Sequence, residues 1–81
     1  MRVNVRLFAR LREIAGADVV DVDVEEPATL ADVWSSLVAA RPAMAAFQST
    51  VSGAINAEYA RMNASVNNGD EVAFLPPVSG G

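Results

Sequence analysis

A turn, a strand and a stop follow one another in the stretch Asn67-Asn68-Gly69-Asp70-Glu71-Val72-Ala73-Phe74-Leu75-Pro76-Pro77. Asparagine, glycine and aspartate favour turns, because their backbones or short polar side chains accept the conformations that a turn requires. In the strand that follows, Val72 and Phe74 fall on one face, and Ala73 and Leu75 fall on the other. Proline has no amide hydrogen to donate to a ladder, so we expect strand pairing to end at Pro76.

Two more strands and a short helix are predicted in the early part of the chain. Apolar and polar residues alternate over residues 2–7 and over residues 20–25, as in strands with one buried and one solvated face. The alternation of the first strand, continued by one residue, places Phe8 on the face away from the core. Helical spacing predicts a short helix over Ala9–Ala15, and Gly16 is its expected stop.

The longest helix is predicted to begin after Thr29 and to end before Pro42. Thr29 is a favourable amino-terminal cap, and Asp32 occupies the third helical position, as in a capping box. The side chains expected to form the buried stripe of this helix are Leu30, Val33, Trp34, Leu37 and Val38. Residues 43–50 predict only a short, irregular helical turn.

Short strands over residues 51–55 and 58–61, joined by a turn at Asn56-Ala57, complete the pattern before the closing strand. The predicted order is strand, helix, strand, helix and then three short strands. This order is typical of an α+β domain, with a mixed β-sheet packed on one main helix. We assign residues 1–75 to that domain and residues 76–81 to a flexible carboxyl-terminal tail.

The composition argues against several classes of function. The 81 residues are 52% hydrophobic, as expected of one small folded domain. Neither Cys nor His is present, which removes thiolate nucleophiles, the usual general base and the commonest metal ligands, so we expect no metal site. The net charge of −4 argues against nucleic acid as a partner. Without a signal-peptide pattern or an apolar run of about 20 residues, we expect a cytoplasmic location and no membrane association.

The sequence closes on Gly80-Gly81. A segment without Cβ atoms can thread a narrow channel and present its carboxylate to the active site of another protein. Glycine contributes nothing to packing, because it has no side chain to bury. These residues therefore indicate a tail that acts inside a partner, with a frayed terminus of no function as the alternative.

Three segments match a known pattern along the length of the chain. They are Phe8-Ala9 with Arg12-Glu13 and Gly16, then Ile55-Asn56 with Tyr59, and finally Gly69-Asp70-Glu71-Val72-Ala73-Phe74-Leu75-Pro76-Pro77-Val78-Ser79-Gly80-Gly81. With these segments the chain resembles the sulfur-carrying small subunits of molybdopterin synthase. The resemblance implies a ubiquitin-like β-grasp fold with a free Gly-Gly tail. The chain departs from the family at Asn68, where aspartate is frequent, and at Leu75, where an aromatic residue is common.

The resemblance implies a chemical role for Gly81. In that family the terminal carboxyl is adenylated and then converted to a thiocarboxylate, which gives its sulfur to a cyclic pyranopterin precursor during synthesis of the molybdenum cofactor. Activation is needed because a terminal carboxyl has a pKa near 3.5 and is therefore an anion, and a poor electrophile, at neutral pH. No bound cofactor is implied: the activating partner uses ATP, and Gly81 carries the sulfur covalently.

Two protein partners are implied in the same way. One is the large catalytic subunit of molybdopterin synthase, in a heterotetramer, and the other is an adenylyltransferase of the ubiquitin-activating type. The small subunit supplies the sulfur and does not itself form the substrate pocket. The residues that would enter the partner ahead of Gly81 are Pro76, Pro77, Val78, Ser79 and Gly80.

A partner surface is predicted next to the tail. Phe8 and Leu75 fall on the faces of their strands that lie opposite the core. If the first and last strands are neighbours, these side chains lie close together, with Tyr59 beside them. Exposed apolar clusters of this kind mark partner sites. Arg12 is the candidate polar contact at the rim.

Three alternatives stay open at this point. The chain could carry sulfur in another pathway, such as the synthesis of thiamine, cysteine or thiolated transfer RNA, which use the same kind of terminus. It could be a ubiquitin-like protein modifier, although a chain without Lys cannot build Lys-linked polymers of itself. It could also be a binding module whose tail has no chemical role.

Overall fold

The structure, a computed structural model, describes residues 1–77. In chain order the elements are β1 (Arg2–Leu7), α1 (Ala9–Ala15), β2 (Val19–Asp23), β3 (Ala28–Thr29), α2 (Leu30–Ala40), a 3₁₀ helix (Pro42–Phe47), β4 (Ser52–Ile55), β5 (Glu58–Ala60), β6 (Ser65–Val66) and β7 (Glu71–Leu75). Within these residues, neither α-helix has the length and hydrophobicity to span a bilayer.

The closing strand, β7, lies at the centre of the main sheet. Within the described residues this sheet has five strands in the order β2-β1-β7-β4-β5. β7 runs parallel to β1 and antiparallel to β4, and the remaining pairs are antiparallel. The predicted mixed sheet is therefore confirmed, and the first and last strands are neighbours, with Leu7 opposite Phe74.

One face of the main sheet packs against the helices to form the core. The fully buried side chains of the core include Val3, Val5, Leu7, Leu11, Leu30, Val33, Trp34, Leu37, Met44, Val72 and Phe74. The rings of Trp34 and Phe74 meet edge to face with centroids 5.1 Å apart, a favourable aromatic geometry. The indole Nε1 of Trp34 also donates a 2.7 Å hydrogen bond to Oε1 of Gln48. Trp34 is thus a core residue, as predicted, and Val38 is only half-buried.

The start of α2 forms the capping box that the sequence predicts. The backbone N–H of Asp32 donates to Oγ1 of Thr29 at 3.3 Å, and the backbone N–H of Thr29 donates to Oδ2 of Asp32 at 2.9 Å. A cap of this kind stabilises a helix by about 1 kcal/mol. The helix ends at Ala40, just before Arg41 and Pro42, because proline restricts the residue before it.

Two short strands were not predicted from the sequence. β3 and β6 pair antiparallel as a separate small sheet, with Ala28 opposite Val66, and both of these side chains are buried. Two residues are too few to show the alternation that marks a strand, and the partners are far apart in the chain. The irregular turn predicted over residues 43–50 corresponds to the 3₁₀ helix Pro42–Phe47, which buries Met44.

We predict that Gly53→Ala destabilises the domain. Gly53 lies on the core face of β4, where a Cβ would collide with the Leu30 side chain and lie 3.4 Å from Cε1 of Phe74. Such overpacking costs about 1–3 kcal/mol, which exceeds the gain of about 0.4–1 kcal/mol from a less flexible unfolded chain. The free energy of unfolding in urea measures this change, and Ser52→Ala, on the exposed face of the same strand, is the control. Equal stability of both variants would contradict the prediction.

Candidate functional site

The outer face of the main sheet, opposite the core, carries an apolar pocket of about 210 Å³. Its lining residues are Phe8, Ala54, Ala57, Tyr59, Ala73 and Leu75, and we call this the apolar pocket. Phe8 is 40% exposed and Tyr59 is 76% exposed, while Leu75 is half-buried. Accessible apolar clusters are common at surfaces that bind a partner, and a partner surface here stays a prediction.

The strand register explains why these residues meet. Ala73 of β7 lies opposite Ala54 of β4, and Ala54 in turn lies opposite Tyr59 of β5. The two alanines form a low floor, and the ring of Tyr59 stands at one side of it. β1 and β7 pair up to the residues just before Phe8 and Leu75, which places these two side chains next to each other at the end of the sheet. The structure therefore brings together three of the four residues predicted for a partner surface.

The backbone at Phe8 keeps its side chain on the outer face. Phe8 has φ −123° and ψ 152°, so it continues the extended conformation of β1 and preserves the alternation of that strand. The chain then turns at Ala9, which has a φ of +51°. A left-handed conformation costs a residue with a Cβ about 1–2 kcal/mol, so the packing of α1 must offset this strain.

Arg12, the fourth predicted residue, does not line the apolar pocket. It is exposed on α1, where its backbone carbonyl accepts a 2.9 Å hydrogen bond from the N–H of Gly16. The part of the chain that the structure describes offers its side chain no ion pair. Its role at the rim of a partner surface therefore stays a prediction.

Sequence reasoning missed the floor of the apolar pocket. Ala54 and Ala57 were not singled out, because small residues in short strands and turns carry little signal. Ala73 was assigned to the outer face but given no role. The sequence feature that could have identified Ala73 is its position two residues before Leu75, since residues two apart on a strand share a face.

The apolar pocket lies at the base of the predicted tail. Pro76 is half-buried and Pro77 is exposed, and both follow β7 outside the strand ladder, as the lack of an amide hydrogen requires. Val78, Ser79, Gly80 and Gly81 lie outside the described residues, so the expectations for them stay predictions. Since Leu75 both lines the pocket and directly precedes Pro76, a protein that covers the pocket also meets the start of the tail.

The opposite end of β7 is held by a cluster of hydrogen bonds around Asn56. The Asn56 side chain accepts from the backbone N–H of Glu71 and donates to Oδ1 of Asp70, both at 3.0 Å. Oδ2 of Asp70 accepts from the backbone N–H of Asn67 at 2.8 Å. These donors favour the carboxylate, so the Asn67 N–H and then the Asn56 amide hold the pKa of Asp70 below its ordinary value of 3.8.

A larger concavity, of about 430 Å³, lies elsewhere on the molecule. It is lined by residues 26–28 and 65–68, next to the small sheet of β3 and β6. None of the predicted site residues borders it. Within residues 1–77 there is also no group of three or more acidic residues placed to hold a metal ion.

Comparison with known proteins identifies the family. Residues 5–81 match the ThiS family, which is nearly the whole chain and includes the two closing glycines. The chain belongs to the ThiS family.

Curated relatives resemble this chain over nearly their full length. The molybdopterin synthase sulfur carrier subunit of Chlamydomonas reinhardtii is 36% identical, over 100% of both chains. The subunit of the same name from Escherichia coli is 33% identical over 98% of this chain and 99% of the relative. Small archaeal modifier protein 1 of Haloferax volcanii is 39% identical over 94% of this chain and 97% of its own.

Solved structures confirm the ubiquitin-like β-grasp fold that the sequence predicts. The crystal structure of the Haloferax volcanii modifier protein has a TM-score of 0.87 at 36% identity and covers 100% of both chains. A complex of subunits 1 and 2 of the molybdopterin-converting factor from Helicobacter pylori contains a chain with a TM-score of 0.69 at 21% identity, again over 100% of both chains. At that identity the second likeness supports the fold alone.

We predict that Asp70→Asn reduces the loss of stability in acid. The pKa of Asp70 is lower in the folded state than its ordinary value of 3.8, so its contribution is present above that pH and disappears as the pH falls below it. The unaltered protein should therefore lose more stability than Asp70→Asn between about pH 6 and about pH 3. Urea denaturation at both pH values measures the difference. Glu25→Gln is the control, because Glu25 is exposed and its side chain forms no hydrogen bond in the described part of the chain. If Asp70→Asn lost as much stability in acid as the unaltered protein, the assignment would be refuted.

Proposed function

We propose that this chain is the sulfur carrier subunit of a molybdopterin synthase and that it acts in molybdenum cofactor biosynthesis. The observation that carries the proposal is the match, from end to end, to relatives with that name at 36% and 33% identity. The family match extends through Gly81, the residue on which the proposed chemistry acts. The apolar pocket beside Leu75 supplies a surface where a larger protein could hold the domain while it takes up the tail.

The proposed reaction takes place on the carboxyl group of Gly81. A carboxylate oxygen attacks the α-phosphorus of ATP, pyrophosphate leaves, and an acyl adenylate results. Hydrosulfide from a sulfur source then attacks the acyl carbon and displaces AMP, which leaves a thiocarboxylate on Gly81. At neutral pH the free carboxylate is an anion that resists such attack, and the adenylate removes that obstacle by converting an oxygen into part of a good leaving group.

The remaining catalytic groups are assigned to other proteins. This chain has no His, Cys or Lys, and the residues lining the apolar pocket include no carboxylate and no cation, their one polar side-chain group being the hydroxyl of Tyr59. In a heterotetramer, the large subunit would bind the cyclic pyranopterin precursor, and the precursor would accept the sulfur. An adenylyltransferase of the ubiquitin-activating type would activate the tail. The relatives from Chlamydomonas reinhardtii and Escherichia coli are named as subunits of molybdopterin synthase, which supports pairing of this kind. The proposed location of the whole reaction is the cytoplasm.

We predict that Phe8→Asp and Leu75→Arg each weaken binding to the large subunit of the same organism by at least about tenfold. A charge placed at the centre of a desolvated apolar contact has no partner and costs free energy on binding. The measurement is the dissociation constant from isothermal titration calorimetry, with circular dichroism to show that the fold is retained. Ser35→Asp and Ser35→Arg are the matched controls, because they place the same two charges at an exposed position of α2, on the opposite side of the domain. Unchanged affinity of both pocket variants would show that the partner binds elsewhere.

We predict that deletion of Gly81, or addition of one residue after it, abolishes sulfur loading while stability is unchanged. Either change moves the reacting carboxyl by about 3.5 Å, and a misplacement of about 1 Å already costs about a hundredfold in rate. The assay is mass spectrometry after incubation with the activating enzyme, ATP and a sulfur source. The unaltered chain should gain the mass of one oxygen-to-sulfur exchange at its last residue. A truncated chain that is still loaded would refute the mechanism.

A protein modifier is the second candidate, favoured by the likeness to small archaeal modifier protein 1. The two functions share activation of the tail and differ in the acceptor, which is a sulfur nucleophile in one case and an amine of another protein in the other. Expression of the chain with an amino-terminal tag, followed by mass spectrometry of the captured proteins, distinguishes them. Peptides joined to Gly81 by an isopeptide bond would support the modifier. Thiocarboxylate formation without conversion of the pterin precursor would support a different sulfur pathway.

A further inference from the structure

Arg6 borders the apolar pocket on the outer face of the main sheet. It lies opposite Val19 of β2 on one side and Ala73 of β7 on the other. The same row continues through Ala54 to Tyr59. Three interstrand steps separate the backbones of Arg6 and Tyr59 by about 14 Å. The row therefore has the Arg6 cation at one end, the Tyr59 ring at the other end and the two alanines of the pocket floor between them.

No residue in the described part of the chain forms an ion pair with Arg6. The acidic side chains on the same face of β2 bond to other residues: Asn4 donates to Asp21 at 3.5 Å, and Arg2 donates to Asp23 at 3.3 Å. Arg6 is exposed, so its guanidinium group is a solvated cation in a protein with a net charge of −4. An unpaired cation beside an exposed apolar pocket marks a place where a partner can supply the opposite charge.

We propose that Arg6 determines the specificity and orientation of the protein that covers the apolar pocket. That partner places one large apolar side chain over the alanine floor and sets a carboxylate next to it, against the Arg6 guanidinium. The apolar pocket is small, with a volume of about 210 Å³, which suits a single side chain. The inference rests on the proposed function, in which the partner is the large subunit.

The charges of the neighbouring strand restrict the orientation of the partner. Asp21 and Asp23 share the outer face with Arg6, so a carboxylate that approached β2 would meet like charge. A carboxylate at Arg6 instead accepts from the planar, forked donors of guanidinium, which bind carboxylates in two parallel hydrogen bonds. The orientation that brings the partner's carboxylate to Arg6 is thus favoured, and orientations that bring it to β2 are opposed by like charge. Charge contributes to the specificity of an interface in this way.

The test compares Arg6→Gln and Arg6→Glu with the unaltered chain in binding to the large subunit of the same organism. Arg6→Gln should weaken binding by about tenfold and Arg6→Glu by more. Arg6→Gln should also reduce the dependence of the affinity on salt, because an exposed charge pair is screened by ions. Arg41→Gln is the matched control, since Arg41 follows α2 on the other side of the domain. Replacement of the partner's surface carboxylates by amides, one at a time, should identify one whose loss has no further effect in Arg6→Gln.

The outcomes separate this inference from the proposed function. Equal affinity and equal salt dependence for Arg6→Gln and Arg41→Gln would overturn the role of Arg6 while leaving the sulfur carrier intact. Tighter binding of Arg6→Glu would also overturn it, since it would place a cation of the partner at this position. Failure of the unaltered chain to bind the large subunit at all would instead contradict the proposed function, and the inference with it. Sulfur loading of Gly81 by the activating enzyme is measured in parallel to show that the tail is intact.

Discussion

The pairing of β7 between β1 and β4 is the interaction on which the rest of the structure depends. It joins the amino-terminal part of the sheet, β1 with β2, to the later part, β4 with β5. It places Phe74 against Trp34 of α2 in the core. The same pairing sets Leu75 beside Phe8 on the outer face and fixes where the tail leaves the sheet. Because β1 and β7 are parallel and lie near the two ends of the described chain, nearly all of the domain forms the connection between them.

The two faces of β7 serve different purposes, and the register keeps them apart. Val72 and Phe74 are buried in the core, whereas Ala73 and Leu75 line the apolar pocket. A slip of one residue would exchange the two sets, exposing the phenylalanine and burying the alanine. The hydrogen bonds of Asn56 with Glu71 and Asp70 oppose such a slip, because they tie the start of β7 to the turn after β4. The apolar pocket therefore forms only while β7 keeps its register with β1 and β4, even though the pocket side chains contribute little to the core.

Much of this arrangement could be predicted from the sequence, because strong periodic signals decided it. Alternation in β1 located Phe8, the capping residue Thr29 located α2, and the turn before Glu71 located β7. The sequence could not predict contacts between distant segments that have little local pattern. The β3–β6 pair consists of two residues from each strand, and the pocket floor consists of alanines, which fit strands, helices and turns alike. In the sequence, Arg6 is only one polar residue of an alternating strand. Its proposed role depends on its neighbours across the sheet, which the local pattern does not show.

In the proposed function, one carboxyl group must visit two active sites, one for activation and one for delivery of sulfur. A group fixed in the domain core could fit only one of them, so the proposed function requires the reacting atoms to lie outside the core. Glycine suits that segment for the same reason that it adds little to stability: it has no side chain to pack. Recognition must then come from the domain. In the proposed function, the apolar pocket with Arg6 at its border is the surface at the start of the tail where a partner would bind the domain before it encloses the carboxyl group.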